Sequence, residues 1–177
     1  ISNFERITSF KKISKNKIKV LLISEPLISV LEIIPYLQCL LKHNDNGDEV
    51  RIIYMTDGVG ARCEDSRAED ASSGDSIASK NRLLAQQKAC QQLNVSKYYN
   101  FDFPDNRMDQ VALIEIAQVT EPIIDEFQPT VVYTHHGGDL NVDHRIVHQA
   151  VLTACRPQPD FCVKKILTFE VNSSTEW

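Results

Sequence analysis

Lys17-Ile18-Lys19-Val20-Leu21-Leu22-Ile23 is a short run of apolar and β-branched residues, and the reading of the fold starts from it. It has the composition of a strand. Residues 30–43 then carry apolar side chains at helical spacing, and residues 49–55 return to a strand pattern. Strand, helix and strand in that order make a βαβ unit. Beyond a polar stretch the alternation continues, with a helix over 77–93, a strand over 98–103, a helix over 110–127, a buried strand over 130–134, a helix over 145–154 and a last strand over 164–171. Regular alternation of this kind predicts a three-layer α/β domain with a mostly parallel sheet.

The chain has 177 residues, of which 42% are apolar, enough for one substantial core and little more. A single domain over residues 1–177 is the expectation. The formal net charge of -5, with Lys and Arg dispersed, argues against a nucleic-acid partner, which would want a basic stripe. No apolar run reaches the length of a bilayer span, and Ile1-Ser2-Asn3-Phe4 does not begin a signal sequence. The cysteines at 39, 63, 90, 155 and 162 are odd in number and sit mostly in apolar patterns. Reduced, buried thiols in a cytoplasmic setting fit this usage better than disulfides.

Chemistry concentrates after the strand over 130–134, in Thr134-His135-His136-Gly137-Gly138-Asp139-Leu140-Asn141-Val142-Asp143-His144-Arg145. Imidazoles and carboxylates there crowd a glycine-broken turn at the carboxyl edge of a predicted strand, where α/β proteins bind ligands. Imidazole and carboxylate together suit a divalent metal, zinc when nitrogen donors dominate. His144 with His136, Asp139 or Asp143 would begin such a set. His144 and His148 share one helical face, but Arg145 stands where a zincin carries glutamate. The structural alternative is that Asp143 caps its helix and Gly137-Gly138 merely turns the chain. Two more segments stand out. Residues 58–76 are long and polar, as functional lids and disordered loops are, and Phe103-Pro104-Asp105-Asn106 is a turn by composition.

Four motifs in order carry a family resemblance. They are Tyr54-Met55-Thr56-Asp57-Gly58 with Arg62, Phe103-Pro104-Asp105-Asn106-Arg107-Met108-Asp109, the Thr134 to Arg145 stretch with Tyr133 before it, and the close of the chain. That close is Arg156-Pro157, then Phe169-Glu170-Val171 and Ser173-Ser174-Thr175-Glu176-Trp177. Together they resemble the LmbE/PIG-L family of zinc-dependent de-N-acetylases, in a branch associated with amino sugars and surface polysaccharides. The resemblance implies a Rossmann-like three-layer sandwich with zinc at the carboxyl edge of the sheet. It implies hydrolysis of the N-acetyl group of an amino-sugar conjugate by a zinc-polarised water, with an aspartate as base. On this basis His144 is the expected metal ligand, and Asp143 and Asn141 are the expected catalytic positions. Arg62, Asp57, His136 and Asp139 are the expected substrate-binding residues. The expected partner is an N-acetylated sugar or glycoconjugate, with a homo- or hetero-oligomer as a further expectation. Chains of the family usually continue past the final Ser-Thr-Glu-Trp, which reads this one as truncated at its C-terminus.

One motif departs from the family. Where members carry Ala-His-Pro-Asp-Asp-Glu after the first strand, this chain has Ser24-Glu25-Pro26-Leu27-Ile28-Ser29, and no His or Asp occurs from Lys19 to Lys42. Matching on Pro26 puts Glu25 at the histidine, as a possible carboxylate ligand, and Leu27 and Ile28 at the two aspartates. The expectation is a de-N-acetylase-fold protein with an impaired catalytic centre. The alternative is an active N-acetylglucosamine-type deacetylase with an altered metal shell. A nucleotide-binding reading fails for want of a glycine-rich loop after the first strand.

Overall fold

A computed structural model of the chain describes residues 17–24, 30–58 and 77–171, without the side chains of residues 30–37, 78 and 79. Five strands, β1 (Lys19–Ser24), β2 (Glu49–Tyr54), β3 (Lys97–Asn100), β4 (Val131–His135) and β5 (Lys165–Phe169), form one sheet in the order β3-β2-β1-β4-β5. Every pairing is parallel. Four helices connect them: α1 (Val30–Asp45), α2 (Ile77–Gln92), α3 (Leu113–Phe127) and α4 (Val142–Ala154). The α/β expectation therefore holds, and the sheet is parallel throughout.

Both faces of the sheet are covered. One apolar cluster joins Leu21, Ile23, Ile53 and Val132 to Ile116, Ile124 and Phe127 of α3 and Val147 and Val151 of α4. The opposite cluster joins Val20, Leu22, Ile52 and Tyr133 to Leu40 of α1 and Cys90 and Leu93 on the α2 side. Val20, Leu21, Leu22 and Ile23 are all buried, which is why the opening run shows no polar alternation. Each such side chain contributes about 1.5–3 kcal/mol. A buried polar chain pins the end of α1. His43 Nδ1 meets Asp48 Oδ2 at 2.8 Å, His43 Nε2 meets the Tyr133 hydroxyl at 3.0 Å, and the Ile18 N–H donates to Asp48 Oδ1 at 3.0 Å.

Several boundaries differ from the sequence expectation, and each has a local cause. β3 ends at Asn100, opposite Tyr54 at the end of β2, although Phe101 and Phe103 still donate to the Tyr54 and Met55 carbonyls at 2.9 and 3.1 Å. One turn of 3₁₀ helix (Met108–Gln110) comes before α3, which starts at Leu113 instead of 110. α4 starts at Val142, three residues early, because the Asn141 side chain caps it, accepting from the N–H groups of Asp143 and His144. The cap is Asn141, not Asp143. β4 runs one residue further than expected, to His135, which pairs with Phe169. The strand order reverses between β1 and β4, so the crevice outside their carboxyl ends is the natural ligand position of this fold.

Candidate functional site

β4 delivers His135 to that crevice and α4 delivers His144. Neither ring is exposed. Their imidazoles stack face to face, with centroids 3.8 Å apart and planes 6° from parallel. His135 also packs on Phe169 at 4.7 Å and lies 3.4 Å, through Nε2, from the Ser24 hydroxyl at the end of β1. Burial, then the nearby His144 and His148, hold its pKa well below the usual imidazole range, so it is neutral.

Asp139 is the organiser of the turn. Its Oδ2 sits 2.8 Å from His144 Nδ1, and its Oδ1 accepts the Asn141 N–H at 2.9 Å. A carboxylate only accepts, so Nδ1 of His144 donates to it and Nε2 is the ring nitrogen left for another partner. Arg145 straps the same turn by donating to the carbonyls of Asp139 and Leu140, both at 2.7 Å. The His148 imidazole donates from Nδ1 to the His135 carbonyl at 2.9 Å. Gly137 lies so close to the His148 ring that an added Cβ would meet it at 2.9 Å. His136 turns away and closes the turn on itself, its Nδ1 accepting the Gly138 N–H at 3.1 Å.

Asp143 faces another way. Its carboxylate accepts the N–H groups of Asn106 at 2.5 Å and Met108 at 3.0 Å, binding the Phe103-Pro104-Asp105-Asn106 turn to the start of α4. Burial raises its pKa, while those two backbone donors pull the other way. Asn141 is committed to capping. Asp57 lies just past β2, half-buried. Arg62 and Glu25, with the rest of 25–29 and 59–76, fall outside the described residues.

Of the residues the sequence offered beside His144, Asp139 lies against its ring while His136 and Asp143 bond elsewhere, and His135, which stacks on it, was not among them. The missed signal was the strand end: had β4 been carried one residue further, its last side chain would have fallen at the reversal of strand order. The four described cysteines, Cys39, Cys90, Cys155 and Cys162, are free thiols, and burial pushes the Cys155 thiol up to about 12. Among the described residues no helix is long and apolar enough to cross a membrane.

A family model for the GlcNAc-PI de-N-acetylases, PIG-L, matches residues 32–155, more than half of the chain. The chain belongs to the PIG-L family. Solved structures agree on the fold. An N,N'-diacetylchitobiose deacetylase from Pyrococcus horikoshii is 23% identical with a TM-score of 0.63, over 84% of this chain and 54% of that one. A conserved protein from Thermus thermophilus is 18% identical with a TM-score of 0.60, over 86% and 66%. A deacetylase of the teicoplanin biosynthetic pathway is 24% identical with a TM-score of 0.58, over 77% and 58%. This PIG-L chain thus spans between 54% and 66% of the length of these three structures. No curated protein matches the sequence.

Zinc, which the family resemblance implies, can be tested against the donors present. Ligand atoms of His135, Asp139 and His144 all lie within 4.8 Å of one another, and all three residues are buried. Proximity is not convergence, however. An ion bound by an imidazole nitrogen lies near the plane of that ring, and two stacked, nearly parallel planes share no such point. Asp139 Oδ2 is moreover spent on His144 Nδ1. A catalytic zinc takes three protein ligands and an open position. As these rings stand they offer one, Nε2 of His144, and do not fit a zinc centre on their own.

Proposed function

We propose that this PIG-L-family chain is a single domain that binds N-acetylated amino-sugar conjugates at the carboxyl edge of its sheet, with its hydrolytic centre impaired. The observation that carries the reading is the stacked His135 and His144 pair, which among the described residues leaves one oriented donor where a catalytic zinc takes three. The sequence supports it, since no His or Asp from Lys19 to Lys42 is available to supply the others or the base. Loss of a general base by itself typically removes about 10²–10⁴ in rate. The substrate class rests on the family, described by its GlcNAc-PI de-N-acetylase activity, and on the diacetylchitobiose deacetylase of like fold. A cytoplasmic setting belongs to the proposal, supported by the four free thiols and the odd cysteine count.

In this reading the residues orient and bind. Asp139 fixes the His144 ring so that Nε2 meets a sugar hydroxyl or the N–H of the acetamido group. Asn141 and Arg145 hold the backbone of the turn against α4, and Asp143 brings the Asn106 turn to the rim of the crevice. Asp57, His136 and Arg62 remain proposed sugar contacts.

A second reading, an active deacetylase with an altered metal shell, draws on the 4.8 Å grouping of His135, Asp139 and His144. It requires one ring to leave the stack, with Glu25 as a further ligand. Metal analysis of protein purified without chelator, repeated for His144→Ala and paired with a de-N-acetylation assay on N-acetylglucosamine conjugates, separates the two. Sub-stoichiometric zinc, no turnover and sugar binding that weakens in His144→Ala are expected. Near-stoichiometric zinc lost in His144→Ala, together with turnover, would overturn the impaired-site reading.

A further inference from the structure

Lys and Arg are dispersed over the chain with one exception. Residues 6–19 hold six of the 19, namely Arg6, Lys11, Lys12, Lys15, Lys17 and Lys19, and none of the 24 Asp and Glu. Elsewhere the chain carries 13 cations against 24 acids, so a segment of +6 is joined to a remainder of -11. An asymmetry of that size marks an interaction arm. Bulky apolar side chains recur through the same region at every third position, Phe4, Ile7, Phe10 and Ile13.

The fold extends this charge. The basic segment enters the described structure at Lys17 and becomes β1 at Lys19, on the amino edge of the sheet. There the Thr130 N–H donates to the Lys19 carbonyl at 2.9 Å, and the Thr130 carbonyl accepts the N–H groups of Lys164 and Lys165 at 2.9 and 3.2 Å. Lys19 and the Lys164-Lys165 pair thus flank the start of β4, two strand spacings or about 10 Å apart. They and Lys17 are all exposed. Several acids of that edge are already engaged: Asp48 by His43 and the Ile18 N–H, Glu49 by Arg51 and Ser96, and Glu126 by Arg51 and Lys97. Asp45, Asp125 and Asp160 remain there to offset these four lysines and the four cations of residues 6–15. The edge stays cationic.

Charge and apolar spacing together select the partner. Each lysine brought to an anionic bilayer strengthens binding about fivefold, and phenylalanine and isoleucine side chains enter the interface between the headgroups. A nucleic acid would use the cations and gain little from the isoleucines. We propose that the amino edge of the sheet, with the basic segment leading into it, is a docking surface for an anionic membrane. β1 runs six residues, about 20 Å, from that edge to Ser24, so the crevice of His135 and His144 lies at the opposite end of the strands. The proposal is independent of the sugar-binding reading above.

Flotation of the full chain with vesicles of phosphatidylcholine alone, and of phosphatidylcholine with one third phosphatidylserine, tests it at low and high salt. Wild type is expected to float with the anionic vesicles only and to be released by salt. Lys164→Gln with Lys165→Gln should weaken binding about 25-fold, and Lys11→Gln, Lys12→Gln and Lys15→Gln together about 100-fold, at about fivefold per lysine. Lys164 also donates to the Phe161 carbonyl at 2.6 Å, so Lys17→Gln, expected to lose about fivefold, replaces the pair should it melt early. Phe4→Ser with Phe10→Ser should weaken vesicle binding at unchanged charge. No binding to anionic vesicles, equal binding to neutral ones, or unchanged affinity in the lysine variants overturns the proposal. Tighter binding to a DNA duplex than to the anionic vesicles, indifferent to the two phenylalanines, overturns it in favour of a nucleic-acid surface.

Discussion

Acid should weaken this protein through His135 by a calculable amount. The imidazole has no exposed surface, and burial, followed by His144 and His148, keeps its pKa well below the usual value. In the unfolded chain it takes a proton near 6.5. Between the folded value and about 6.5 the unfolded chain binds more protons than the folded one, so stability rises with pH there and is lost on acidification. From about pH 7.5 to about pH 5.5 proton uptake by the unfolded imidazole favours unfolding by a factor of ten, or about 1.4 kcal/mol. His135→Phe keeps a ring against His144 and Phe169 but cannot titrate, and it gives up the 3.4 Å contact with Ser24. Urea unfolding of both chains at the two pH values is the assay. The wild type should lose about 1.4 kcal/mol more than the variant on acidification, because the groups common to both chains cancel. Equal losses would refute the claim that His135 is buried neutral.

Three further outcomes follow from single contacts. Asp143→Ala leaves the buried N–H of Met108 and the part-buried N–H of Asn106 without their acceptor and should cost about 1–3 kcal/mol in a melting or urea experiment, with Asp143→Asn in between. Because burial raises the Asp143 pKa, its contribution is fullest below the ordinary carboxylate value near 3.8 and shrinks as pH rises through the folded value, a trend the Asn variant should lack. Asn141→Ala removes the cap of α4 and should cost about 0.5–2 kcal/mol, with faster amide hydrogen exchange at Asp143 and His144. Gly137→Ala sets a methyl 2.9 Å from the His148 ring, so the ring or the turn must shift, at about 1–3 kcal/mol; an unchanged melting temperature would contradict that packing.

The sequence alone determined the layered fold, because hydrophobic period is a local property. Four consecutive apolar residues, Val20 to Ile23, announce a strand covered on both sides, and the helical spacing of 110–127 announces the layer over it. It also singled out the turn that carries Asp139 and His144, since a glycine-broken turn after a strand has one place to go in a parallel sheet. The roles within that turn were decided only by tertiary structure. Asp143 and Asn141 are one and three residues from His144 in sequence, yet one faces the Asn106 turn of a distant segment and the other caps its own helix. Asp139, five residues from His144, is the one that holds its ring. His135 became part of the site because β4 lies between β1 and β5 and ends beside Ser24 and Phe169, contacts 111 and 34 residues away along the chain. Side-chain direction depends on which strands become neighbours and where each helix is capped, and those are outcomes of long-range packing that no local pattern encodes.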